Sequence, residues 1–470
     1  MSNQRPFVAG VDSSTQSCKV VIYDPASGAI IRQGKASHPQ GSEVDPKYWW
    51  DAFLEAVVAA GGLDDVHALS VGGQQHGMVC LDAQGEVIRP ALLWNDTRSA
   101  GAADDLTIEG GDGDRESGAR WWADATGLVP VASFTVTKLR WLADHEPENA
   151  RKTAAICLPH DWLSWKIRGG FNVVGLEGLC TDRSDASGTG YMDRERPSYR
   201  REILAHALRM TTEEAEGIIL PWICEPWETT GVGDAGMGWD HIAIGPGCGD
   251  NAGAALGVGL EVGQALLSLG TSGVVSVVSD TPVQDPSGLI AGFADASGHW
   301  LPLACTLNAS RILDAVSAMT GLDYAELDEA ALSIPDAGGL RLVPYFEGER
   351  TPNLPDATAR LEGMTLANST RAHLARAGVE ALLSHMRFAL ECVGELGVPI
   401  QKVLVVGGGA RSQAVRELAH EFLAVPVEFP EAAEYVALGA ARQAAALNSV
   451  MPEVCGHTDQ CANQTDSSDV

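Results

Sequence analysis

The chain has 470 residues, 45% hydrophobic and 20% charged, enough apolar material for more than one buried core. Lys and Arg number 32 against 62 Asp and Glu, a net charge of −30 that excludes global attraction to a nucleic-acid backbone or an anionic membrane. No run of about 18 apolar residues predicts a membrane span, and residues 1–6 are polar without an apolar signal region, so a cytoplasmic protein is expected.

Residues 7–23 contain two apolar β-type runs flanking the turn Asp12-Ser-Ser-Thr15-Gln. That pattern predicts a hairpin whose tight loop offers backbone N–H groups to an anion. Residues 47–60 read as a helix stopped by Gly61-Gly62. Strands over 68–71 and 78–81 bracket Gly72-Gly-Gln-Gln-His76-Gly77. A polar burst, Trp94-Asn-Asp96-Thr-Arg98, follows an apolar run, and helices are predicted over 134–145 and 161–167. The glycine-rich stretch 245–249 leads into a helix over 252–258.

A second hairpin is predicted over 265–278, now around Gly270-Thr271-Ser272-Gly273. Two copies about half a chain apart suggest two similarly built α/β lobes, each opening on a phosphate loop. A long helix is predicted over 371–396, and a buried strand at 403–406 runs into Gly407-Gly-Gly409-Ala-Arg411-Ser412. The lobes are expected to divide near residue 245, as 1–245 and 246–448, with a polar tail over 449–470. Ten cysteines stand singly, with no CxxC, and nearly all read as small buried or neutral thiols.

Each polar motif has a bland alternative. Asp12 can be a turn former, Asp250 a helix cap, and His76 a structural histidine. No Walker-type GxxxxGK[ST] and no HExxH occurs, so any phosphoryl transfer must use the two-hairpin mode.

The motifs taken together are informative. Asp12…Thr15, Gln75-His76-Gly77, Trp94–Arg98, Leu158-Pro-His-Asp161, Thr181-Asp-Arg-Ser-Asp185-Ala-Ser-Gly-Thr189, Gly249-Asp250-Asn251, Ser268–Gly273, Gly348-Glu-Arg-Thr-Pro352 and Gly407–Ser412 occur in that order over about 7–446. In kind and order they resemble the FGGY carbohydrate kinases. The Gln75-His76-Gly77 and Trp94–Arg98 pair is similar to the branch acting on D-xylulose, more than to those acting on glycerol, gluconate or ribulose. One departure is Asp12-Ser-Ser-Thr15, where many members carry Asp-Xaa-Gly-Thr.

The resemblance implies a two-lobed, actin/hexokinase-like (ribonuclease H-like) α/β fold with its active site in the cleft between the lobes. It implies ATP and Mg²⁺ as cofactors and a small sugar as substrate. It assigns Asp250 as general base and Asp12 as the Mg²⁺ ligand. Thr15, Gly270 and Thr271 become phosphate donors, while Gly408, Gly409 and Ser412 fall on the adenosine side. Gln75, His76, Asp96 and Asn251 become sugar contacts. Asp250, at a helix start, is expected to stay ionised at neutral pH. A kinase for another ketose or polyol, an actin-like ATPase without a sugar substrate, and a homodimer all stay open at this point.

Overall fold

The computed structural model describes residues 7–447. The tail expected over 449–470, with Cys455 and Cys461, lies outside the described residues.

Two sheets organise the chain, and both start from the hairpins anticipated above. In the first, Phe7–Ser13 pairs antiparallel with Ser17–Asp24 and parallel with Val66–Gly73. Ala29–Ser37 closes one edge, and Ala243–Ile244 and Gly231–Val232 close the other. In the second, Gln264–Leu269 pairs antiparallel with Gly273–Val277 and parallel with Lys402–Val406. Trp300–Thr306, Ile290–Ala294 and Val427–Glu428 complete it. The central strands are near-continuous apolar runs because helices cover both faces.

The helix Lys47–Ala59 covers one face of the first sheet, seating Phe53 and Ala56 among Val11, Val20 and Val71. The opposite face carries Tyr435–Ala445, whose Ala437, Ala441 and Ala444 pack on Val8, Val21 and Ala68. A Cβ at Gly10 would land on the Ala437 carbonyl and the Ala441 amide, so only glycine permits this approach. Thus a helix from the 246–448 half packs on the sheet of the 1–245 half. The strand Cys248–Gly249 also still pairs with Val66–Gly73. Helices Ser310–Thr320, Tyr324–Leu332, Arg371–Glu395 and Gln413–Phe422 bury the second sheet's main core.

The halves meet along the edge strand Ile290–Ala294. Its Gly292 amide donates to the Gly127 carbonyl at 2.9 Å, and its Ala294 amide donates to Ser187 Oγ at 2.9 Å. That seam forms a cavity wall.

The eight cysteines among the described residues are free thiols. Burial pushes the thiols of Cys18, Cys80, Cys157 and Cys248 up, as expected of inert groups. Cys180 departs from that reading. Hydrogen bonding with Cys224, joined by the Arg168 guanidinium at 3.1 Å, outweighs burial and lowers its thiol to about 6.

Candidate active site

A cavity of about 250 Å³ opens where the first half meets Ile290–Ala294 and the second hairpin. It is smaller than the roughly 300–1,000 Å³ of drug-sized ligand sites, as suits a small molecule. Gln75, His76, Asp250 and Asn251 line it together, beside Ser272 and Gly273 from the second hairpin. Trp94, Ser133, Phe134, Phe293 and Arg350 complete the parts of the wall that bear on the chemistry.

Asp250 opens the helix Asp250–Val258, but Gly249 occupies the cap position, so the Asp250 carboxylate does not cap that helix. Its Oδ1 accepts from the Asn251 amide at 2.8 Å and from Asn251 Nδ2 at 3.0 Å. Asn251 Nδ2 also donates to Gln75 Oε1 at 3.0 Å, which joins the three side chains in a chain. The turn beneath is fixed by the Gly249 amide, which donates to Ser184 Oγ at 3.0 Å. A Cβ at Gly249 would sit 2.7 Å from Gln75 Cγ, so glycine lets Gln75 lie against the turn that carries Asp250.

Electrostatics correct one expectation here. The helix start does not keep Asp250 strongly acidic. Burial, then the charges of Asp12 and Asp185, push its carboxyl up to about 7. Dehydration and two like charges outweigh one helix N-terminus. A carboxyl poised there is matched to accepting a proton near neutrality.

His76 adopts a left-handed φ of 67° between its two strands. Its Nδ1 faces the Gly188 carbonyl at 2.9 Å, so Nδ1 carries the proton and Nε2 is left as an acceptor. Burial and the nearby Lys138 charge hold the ring neutral, down to about 3. Phe134 and Phe293 pack on its faces at 5.1 and 5.5 Å between centroids.

Asp96 is not among the wall residues. Its carboxylate is buried and taken up by Arg98 (Nε 2.8 Å, Nη2 3.0 Å) and Ser42 (2.8 Å). Burial would push its carboxyl up, but those partners outweigh it and keep the carboxyl below the ordinary range. The residue of that motif that reaches the wall is Trp94, whose Nε1 donates to Thr15 Oγ1 at 2.9 Å. This bond ties the Trp94–Arg98 motif to the first hairpin.

In that hairpin Asp12 is buried, hydrogen-bonded by Ser14 and 3.4 Å from Lys19 Nζ. Lys19 in turn meets Glu434 at 2.6 Å. Burial is the largest influence on Asp12 and pushes its carboxyl up. At the second hairpin, the Gly270 and Thr271 carbonyls accept from Ser310 (2.9 Å) and Ala309 (3.1 Å), which brace the loop from behind. Gly407 takes a φ of 94°, and Gly408 is open to solvent. Gly409 begins a short 3₁₀ turn against Leu269. Ser412 caps Gln413–Phe422, with Oγ accepting from Val415 at 3.1 Å and donating to Asp328. Its proton is therefore already donated within the fold, and one lone pair is left for the ligand contact expected of it.

Sequence patterns did not single out Ser133, Phe134, Phe293 or Arg350. Three are ordinary core or loop residues locally, and only tertiary packing brings them to the wall. Arg350 was within reach, since it stands in the quoted Gly348–Pro352 motif.

Residues 7–257 match the N-terminal domain of the FGGY family of carbohydrate kinases, and 265–447 match its C-terminal domain. A xylulose kinase of Streptomyces coelicolor is 44% identical over 451 residues, covering 94% of this chain and 88% of that protein. One from Streptomyces rubiginosus is 43% identical over 456 residues, covering 94% and 88%. A solved xylulose kinase structure from Bifidobacterium adolescentis superposes with a TM-score of 0.89 at 51% identity, covering 94% of this chain and 93% of that one. The fold is the two-domain, actin/hexokinase-like α/β architecture. Both domain matches and the near-full-length relatives agree: the chain belongs to the FGGY family of carbohydrate kinases.

Proposed function

We propose that the chain transfers the γ-phosphoryl group of ATP to the terminal hydroxyl of D-xylulose, giving D-xylulose 5-phosphate. The observation that carries the reading is Asp250, a carboxyl near 7 in the wall of a small cavity shared with Gln75, His76 and Asn251. The relatives most similar over nearly the whole chain bear the name xylulose kinase. A filament or chaperone ATPase has no use for such a sugar-sized cavity beside its base.

The mechanism follows from the residues. Asp250 takes the proton from the attacking hydroxyl as its oxygen bonds to phosphorus and the bond to the leaving ADP oxygen breaks. Asn251 and Gln75 hold the carboxylate in orientation. His76, with Nε2 free, accepts from a sugar hydroxyl. Backbone N–H groups at Thr15, Gly270 and Thr271 receive the phosphates, and Gly408 and Gly409 leave room for the nucleoside. Asp12 fits a magnesium site. It is a hard oxygen donor, and it is buried close enough to Asp250 to raise that carboxyl, a repulsion a cation relieves. Magnesium, when bound there, supplies charge neutralisation to the phosphates.

The test is a coupled ADP-release assay with MgATP across D-xylulose, D-ribulose, glycerol and gluconate. The highest kcat/KM is expected for D-xylulose. A preference for any of the other three overturns the substrate assignment, and nucleotide hydrolysis indifferent to sugar overturns the kinase reading.

A further inference from the structure

Lys138 lies in the helix Thr135–His145, and its side chain is wholly buried. Its ammonium does not reach the cavity. It donates to the main-chain oxygens of Ala132, at 2.9 Å, and Ser133. Its charge is answered at longer range by Asp96, and burial is strong enough to bring the amine down to about 7. An ammonium held in the interior by carbonyls is costly, whereas an apolar side chain of the same length would cost nothing comparable.

What the amine holds is specific. The segment from Val131 to Phe134 has one side toward the cavity, which Val131, Ser133 and Phe134 line. The carbonyls behind it are gathered by three side chains. Besides Lys138, Thr137 Oγ1 lies within 2.9–3.3 Å of the Val131, Ala132 and Phe134 oxygens. Ser99 Oγ donates to Ala132 at 2.9 Å. The same helix begins with Thr135, whose Oγ1 donates to the His76 carbonyl at 3.1 Å. One helix end therefore fixes both the wall segment and the His76 backbone. The Lys138 charge also opposes protonation of the His76 ring, which keeps Nε2 an acceptor.

We propose that Lys138 is a positioning residue for sugar binding, its buried ammonium pinning the Val131–Phe134 wall from behind without touching the sugar. Asp96, expected from the sequence to contact the sugar, is then the counter-charge of this clamp. The inference rests on the reading of the cavity as the sugar site.

The experiment compares native protein with Lys138→Met, which keeps length and removes the charge and donors, and Thr137→Val, which removes a neutral part of the same clamp. Steady-state kinetics are run against D-xylulose and against MgATP separately, with thermal melting alongside. For Lys138→Met the sugar KM is expected to rise about tenfold or more, with kcat changing far less and the ATP KM unchanged, the signature of lost ground-state binding. Its melting temperature is expected to hold or rise, because a buried charge has gone. Thr137→Val is expected to move the sugar KM in the same direction by less. An unchanged sugar KM in folded Lys138→Met, or sugar and ATP KM rising together as the protein loosens, overturns the proposal. Should Lys138→Met fail to fold, an unchanged sugar KM in Thr137→Val overturns it instead. A native chain that phosphorylates no sugar overturns the kinase reading and this proposal with it, whereas activity on D-xylulose with an indifferent Lys138→Met overturns this proposal alone.

Discussion

Replacing Asp250 by Asn separates chemistry from packing because the two shapes are nearly identical. The amide keeps the oxygen that accepts from Asn251, so the chain through Asn251 to Gln75 survives. What disappears is the proton acceptor. Loss of a general base costs about 10²–10⁴ in rate, so kcat is expected to fall at least about 100-fold with both substrates still binding. Stability moves the other way. In the folded chain the carboxyl lies near 7 against an ordinary 3.8, so folding favours its neutral form. The native protein is therefore penalised as pH rises from about 4 to about 7, and the penalty is constant above that. Fully dehydrated, the difference is worth about 4 kcal/mol. Water in the cavity reduces it to about 1–3 kcal/mol. The Asn variant escapes the penalty, so without metal or nucleotide its melting temperature should exceed the native value by a few degrees at about pH 8, the gap closing toward pH 5. Stopped-assay turnover and calorimetry at several pH values test both halves. Near-native turnover, or a melting difference flat across that range, would refute the assignment of Asp250 as a buried base.

Two further outcomes follow from neighbouring geometry. Asp12→Asn keeps the shape of the hairpin and removes the charge a cation senses; the Mg²⁺ concentration for half-maximal rate should rise about tenfold or more with the sugar KM nearly unchanged, and an unaltered Mg²⁺ dependence counts against the metal role. Gly247→Ala places a Cβ 2.7 Å from His160 Nε2 at a φ of 87°, beneath the turn that carries Asp250. It should cost about 3 kcal/mol or more in urea unfolding, and a variant as stable as native would show that the turn can yield.

What could be read from the sequence divides along a physical line. The hairpins were legible because two apolar runs around a small polar turn have few other solutions, and Asp12, Gly270 and Thr271 came with them. Gln75, His76, Asp250 and Asn251 were found as polar groups at strand and helix ends beside glycine, where side chains can face a ligand. What the sequence does not show lies where a residue's partner is distant in the chain. Asp328 takes the Ser412 hydroxyl from 84 positions away. Ser42 and Glu43 converge on Asp96 and Arg98 from an earlier loop. Lys138 lies on a helix where nothing local says that its face is buried. The acidity of Asp250 was misjudged for the same reason: the helix start is local, while Asp12 and Asp185 are not.

The helix Tyr435–Ala445 bears on how the protein comes into being. All strands of the first sheet are synthesised by Gly249, yet the face formed by Val8, Val21 and Ala68 packs among the described residues against Ala437, Ala441 and Ala444 of this helix, flanked by Leu438 and Leu447. While residues 250–434 are being added, that apolar face has no lid of its own. The same helix interlocks with Asp250–Val258, where a Cβ at Gly257 would land on the Tyr435 carbonyl and one at Gly439 on the Gly253 carbonyl. Completion of the first domain and final seating of the helix Asp250–Val258 thus become one late event, which waits for the second domain to be synthesised. The helix carrying Asp250 is not seated until Tyr435–Ala445 docks, and the incomplete chain should be the stage that most needs a chaperone.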